Sequence, residues 1–76
     1  MRRDKLEQHL GKIVKITLFD DTVIEGELHK TGEKMFKNDP NLYYPHNYYF
    51  LINRGTSVLF RCSHVKRLEG SYGRIL

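Results

Sequence analysis

Apolar residues recur along this chain with two different periods, and the change between them divides it into elements. Leu6 and Leu10 stand four apart, the spacing that places two side chains on one helical face. Asp4 is a capping residue type, Glu7 three positions later completes a capping-box pattern, and Gly11 suits the left-handed position that ends a helix. This spacing predicts a short helix over residues 4–10. So short a helix is marginal alone, so its leucines must dock on the open end of a β-structure. From residue 12 the period becomes two. Val14, Ile16 and Leu18 face one way and Lys15 and Thr17 the other, predicting a strand over 12–19. Asp20-Asp21 is a turn signal, because Asp tolerates left-handed backbone better than most residues. Residues 22–29 read as the partner strand, with Ile24, Gly26 and Leu28 on one face and Val23, Glu25 and Glu27 on the other. Gly26 inside a strand marks a sharp bend or the close approach of another backbone.

Residues 30–46 form a polar connection, with Met35-Phe36 and Leu42-Tyr43-Tyr44 as anchor points. A connection this long in a compact domain is usually functional or mobile. Residues 47–53 follow as a strand apolar on both faces, which predicts a central position or cover on both sides. Arg54-Gly55-Thr56 reads as a three-residue hairpin loop, residues 57–61 as the next strand, Cys62-Ser63-His64 as a tight connector and residues 65–68 as a last short strand. Gly70 onward reads as a tail. Five short strands so connected suit a small closed barrel, which removes exposed sheet edges.

With 76 residues the chain has room for one domain and one core. Hydrophobic residues are 39% and charged residues 29%, a mixture that favours a folded, soluble domain over a disordered one. No apolar run approaches the roughly 20 residues that span a bilayer, and no apolar segment follows the basic N-terminus. A cytoplasmic protein without a membrane partner is expected. The single cysteine, Cys62, cannot form an internal disulfide, and one Cys with four scattered His has no zinc spacing, so neither metal nor cofactor is expected. The net charge of +4 is unevenly spread: residues 1–15 carry +3, residues 16–53 carry −3 and residues 54–76 carry +4. Basic ends suit an anionic partner such as nucleic acid. They can equally serve solubility, or draw basic and acidic regions of neighbouring copies together.

Two stretches carry a resemblance. Gly11-Lys12-Ile13-Val14-Lys15-Ile16-Thr17-Leu18-Phe19-Asp20-Asp21, continuing through Gly26-Glu27-Leu28, resembles the first half of the Sm motif of Sm and Sm-like proteins. Leu59-Phe60-Arg61-Cys62-Ser63-His64-Val65-Lys66-Arg67-Leu68 resembles that family's closing segment. The fold implied is all-β, a five-stranded SH3-like or Sm-like barrel with a short N-terminal helix. Asp21 stands where the family has a turn glycine, and Cys62 where it has a glycine after the arginine. Of the family's Asp-x-x-Met-Asn element, only Met35 is kept in Gly32-Glu33-Lys34-Met35-Phe36. The chain is also similar to short proteins carried by prophages of Gram-positive bacteria.

The resemblance implies that Arg61, Ser63 and His64 form a turn that meets nucleic acid, where they can donate hydrogen bonds to phosphates or base edges. The alternative is an exposed polar turn with Arg61 in a surface ion pair. Tyr43 and Tyr44, with His46 and the strand aromatics Tyr48, Tyr49 and Phe50, supply rings for base stacking, and Lys30, Lys34 and Lys37 can follow a phosphate backbone. For the strand aromatics, burial in the core is the stronger expectation. Lys66, Arg67 and Arg74, with Arg2, Arg3 and Lys5, can form a basic face or simply a solvated surface. The resemblance further implies a homo-oligomeric ring joined through the last two strands, with a monomer as the alternative. Catalysis has little basis: Glu25 and Glu27 share a face without a third group, and Cys62 and His64 lack an orienting partner. The expected function is non-catalytic binding, with single-stranded RNA as first choice. A protein partner held by the tyrosine-bearing loop is the alternative.

Overall fold

The computed structural model describes residues 1–70. It is mostly β: five antiparallel strands in one sheet, with short helical segments between them. Helix α1 spans Arg3–Glu7, and the strands are β1 (Ile13–Leu18), β2 (Val23–Lys30), β3 (Tyr48–Asn53), β4 (Thr56–Arg61) and β5 (Val65–Glu69). Their order across the sheet is β4-β3-β2-β1-β5. Among the described residues β4 and β5 are the two edges, and no pairing joins them. No described helix is long and apolar enough to cross a membrane. The tail expected from Gly70 onward lies, from residue 71, outside the described residues, as does Arg74.

The period-two pattern translates directly into burial. Val14, Ile16, Leu28, Tyr49 and Leu51 form one core with Phe60, Cys62 and Val65. Leu6 of α1 is fully buried in the same cluster, while Leu10 packs on its margin. The helix is shorter than its leucine spacing predicts. After Glu7 the bonds become i to i+3, from His9 N–H to the Leu6 carbonyl and from Leu10 N–H to the Glu7 carbonyl, which tightens the chain out of α-geometry. Asp4 is not the cap. Arg2 occupies that position without a side-chain capping bond, and Asp4 instead accepts from the Lys5 amide and pairs with the Arg2 side chain. Gly11 takes the left-handed conformation (φ 83°) and its N–H donates to the Leu28 carbonyl, locking the helix exit to the sheet.

Two turns follow from the same backbone chemistry. Asp21 adopts φ 68°, and the Asp20 carboxylate accepts from the Thr22 amide. The β3–β4 loop has two residues, not three: Asn53 pairs with Thr56, leaving Arg54 (φ 53°) and Gly55 (φ 81°) as a left-handed pair. That geometry matches the twist of the flanking strands. Gly26 faces Ile52 so closely that a Cβ there would sit 2.6 Å from the Ile52 carbonyl oxygen.

The 30–46 connection is more ordered than its polarity suggests. It holds a 3-10 turn at Lys34–Phe36 and a one-turn helix, α2, at Pro40–Tyr43. Asp39 caps α2 by accepting from the Asn41 amide, with Pro40 in the first turn, where its missing N–H is harmless. Leu42 is buried, and Phe36 stands edge-on to Phe50 at 5.1 Å. Phe36 and Phe50 also enclose His29, which is buried with its ring nitrogens 3.0 Å from Glu27 Oε1 and 3.0 Å from Glu33 Oε1. This small second cluster covers the outer face of β3 and explains why that strand is apolar on both sides.

Candidate nucleic-acid interface

Three stretches distant in sequence meet at one end of the sheet: the N-terminal residues, the segment leading into β3, and the turn after β4. Between them lie two adjoining clefts. The first, about 320 Å³, is lined by Arg3, His46, Asn47, Arg61 and Ser63, with Met1 and Cys62 completing it. The second, about 400 Å³, is lined by Lys30, Thr31, Tyr43 and Tyr44 and shares Arg3, His46 and Asn47 with the first. None of the described residues lining either cleft is acidic.

Local structure puts each group in place. Asn47 takes φ 64°, a left-handed residue that turns the chain from Pro45-His46 into β3. Arg61 ends β4 opposite Tyr48, and its guanidinium lies 5.1 Å from the Tyr48 ring centroid, a cation–π contact that holds the long side chain. Ser63 lies in the single 3-10 turn Cys62–His64. Tyr43 and Tyr44 contact each other edge-to-face at 5.4 Å, and Tyr44 is 67% exposed, so its ring is open to a stacking partner.

A polar network lies beneath the shared wall. The Tyr49 ring is fully buried, yet its hydroxyl donates to Glu7 Oε2 at 2.6 Å and accepts from Arg3 Nε at 3.2 Å. Lys30 Nζ lies 3.7 Å from Glu7 Oε1. The Tyr49 hydroxyl, and then the cations Lys30 and Arg3, hold the Glu7 carboxyl below its usual range. Burial, and then the Glu7 carboxylate, push the Tyr49 phenol up. Arg3 is shifted upward, chiefly by its bond to Tyr49.

The structure brings together Arg61, Ser63, Tyr43, Tyr44, Lys30 and His46 from among the expected binding residues and Arg3 from the expected basic face, and adds Asn47. It places the others elsewhere. The His64 ring packs on Phe19 at 4.8 Å. Lys66 pairs with Asp21 at 2.6 Å, and Arg67 is exposed on β5 opposite Thr17. Lys34 and Lys37 belong to the 3-10 turn and its C-cap and line neither cleft. Tyr48, Tyr49 and Phe50 lie on β3, the latter two buried. Among the described residues of the expected basic face, only Arg3 reaches the clefts; Arg2 pairs with Asp4. Cys62 is buried and its thiol donates to the Met1 carbonyl at 3.1 Å. Asn47 carried a local signal, as an Asn just ahead of a strand. Arg3 was legible only as part of a basic face; the docking of α1 brings it to the clefts. No protein-family model, characterised sequence or solved structure matches the chain.

Proposed function

We propose that this protein is a non-catalytic binding module built on a small Sm-like, SH3-like barrel, and that its paired clefts bind single-stranded nucleic acid, RNA first. The observation that carries this reading is the convergence of Arg3, Lys30 and Arg61 on two clefts without a lining carboxylate, with the Tyr44 ring open at the rim. Cations that track a backbone, combined with aromatic faces that accept any base, are the recurring solution for single strands. Each stacked base is worth about 1–3 kcal/mol. The sheet order with β5 beside β1 supports the barrel, because curling that sheet brings its β4 and β5 edges toward each other. The same two edges are what a ring of copies would pair, and the solution mass distinguishes a ring from a monomer.

The test is a titration of labelled single-stranded RNA, single-stranded DNA and duplex at several salt concentrations. Three cationic contacts give a log–log salt slope of about −2 for a single strand. Arg61→Ala brings the slope about 0.7 closer to zero, and Tyr44→Ala weakens binding with the slope unchanged. Absence of binding at low salt sinks the proposal. Nuclease-resistant co-purification with one protein then supports a phage or bacterial accessory module that binds protein instead.

A further inference from the structure

The Tyr49 hydroxyl has no part in the apolar core. A Phe ring would fill the same space, and the hydroxyl reaches past the core to two charged residues of α1. The geometry points to Tyr49 as a positioning residue for nucleic-acid binding, whose buried hydroxyl, shared with Glu7, holds Arg3 and Lys30 at the clefts. This inference rests on the nucleic-acid reading of those clefts.

Arg3 is exposed, and an exposed arginine ordinarily samples many rotamers. Here two contacts to one buried residue restrain it. Its Nε donates to the Tyr49 hydroxyl, and its guanidinium lies 5.8 Å from the Tyr49 ring centroid. The bond uses Nε, so the terminal nitrogens are not taken by Tyr49 and suit the paired oxygens of a phosphate. Tyr49 in turn orients Glu7 through a 2.6 Å charge-assisted bond, and the second oxygen of that carboxylate faces Lys30. Arg3 belongs to both clefts and Lys30 to the second, so one buried hydroxyl organises two of the three cations. Glu7 is then an acidic residue that aids the binding of a polyanion. Its charge opposes the ligand, but its hydrogen bonds order the cations that meet it.

The experiment compares fluorescent oligouridylate binding to wild type, Tyr49→Phe, Glu7→Gln, Arg3→Ala and the Tyr49→Phe/Arg3→Ala double variant across salt. Tyr49→Phe keeps the ring and every cation. Its Kd rises about three- to tenfold, the scale of ordering one or two long side chains, while its salt slope stays that of wild type. Arg3→Ala weakens binding and moves the slope about 0.7 toward zero. In the Arg3→Ala background, Tyr49→Phe has a smaller effect, because one of the groups it positions is gone. Glu7→Gln gives a decision by sign and serves also if Tyr49→Phe folds poorly. Removing a carboxylate beside a polyanion tightens binding if the carboxylate merely repels it, and weakens binding if it positions cations. Tighter binding by Glu7→Gln overturns the inference. So does wild-type affinity in Tyr49→Phe, or an equal effect of Tyr49→Phe in both backgrounds, which marks a purely structural role. Those outcomes leave the nucleic-acid reading standing; failure of the wild type to bind at low salt removes both.

Discussion

Replacing Gly26 with Ala tests the central packing of the sheet with a single methyl group. The new Cβ would lie 2.6 Å from the Ile52 carbonyl oxygen and 3.0 Å from its carbonyl carbon. These are backbone atoms of a strand paired to β2, with Glu27 opposite Ile52, so no side-chain rotation relieves the contact. One strand must move from the other, against the ladder bonds on both sides of β2. Overpacking of this kind costs about 1–3 kcal/mol, and a backbone obstacle puts Gly26→Ala at the upper end. Gly55→Ala is the internal comparison. Its Cβ would meet nothing within 4 Å, so its cost is the left-handed backbone alone, about 1–2 kcal/mol. Total stability for a domain of this size is about 4–11 kcal/mol, so about 3 kcal/mol is a large share. At about 4–8 °C per kcal/mol, Gly26→Ala lowers Tm by about 12–24 °C. Thermal and urea unfolding followed by circular dichroism measure both variants, with an unchanged m-value as the check that only stability has moved. If Gly26→Ala is no less stable than Gly55→Ala, β2 and β3 do not approach as closely at Ile52 as described.

Leu6→Ala empties a fully buried site and costs about 2–5 kcal/mol in urea unfolding. Because Leu6 anchors α1, the same change also weakens oligonucleotide binding by freeing Arg3, and unchanged binding counts against the role of the helix. The acid limb of stability follows Glu7: its carboxyl is held below its ordinary 4.5, chiefly by the Tyr49 hydroxyl. Its contribution is whole above that value and fades as pH falls through the lower folded-state value, so Glu7→Gln flattens the loss below pH 4.5. Tyr49 gives the opposite limb. Burial chiefly, then Glu7, holds it above its ordinary 10.0, so the folded protein keeps a proton that the unfolded chain releases. Stability therefore declines as pH rises above 10.0, and Tyr49→Phe removes that decline; urea midpoints against pH measure both limbs, and a limb unmoved by its variant counts against the hydrogen bond.

Much of the fold was legible in the sequence because it depends on neighbours in the chain. Alternation through Val14, Ile16 and Leu18 set which side of β1 is buried, since successive side chains must leave a strand on opposite faces. Gly11, Asp21 and Gly55 marked reversals, since few residues accept a positive φ at low cost. Even Gly26 was readable as a close approach, although not what it approached. Local signals misled where another contact competed. Asp4 had the chemistry of a cap but binds Arg2 and Lys5, and the hairpin loop lost a residue to strand register. The candidate binding residues were legible only in part. Arg61 and Ser63 came from a resembling segment, and Tyr43 and Tyr44 from composition. Tertiary structure alone decided that Arg3 joins them, that Lys34 and Lys37 do not, and that His29 is buried between two glutamates. The first of those facts rests on helix docking, which brings Arg3 beside residues from the far half of the chain. A periodic pattern specifies the face a side chain takes, but not the distant group it will meet there.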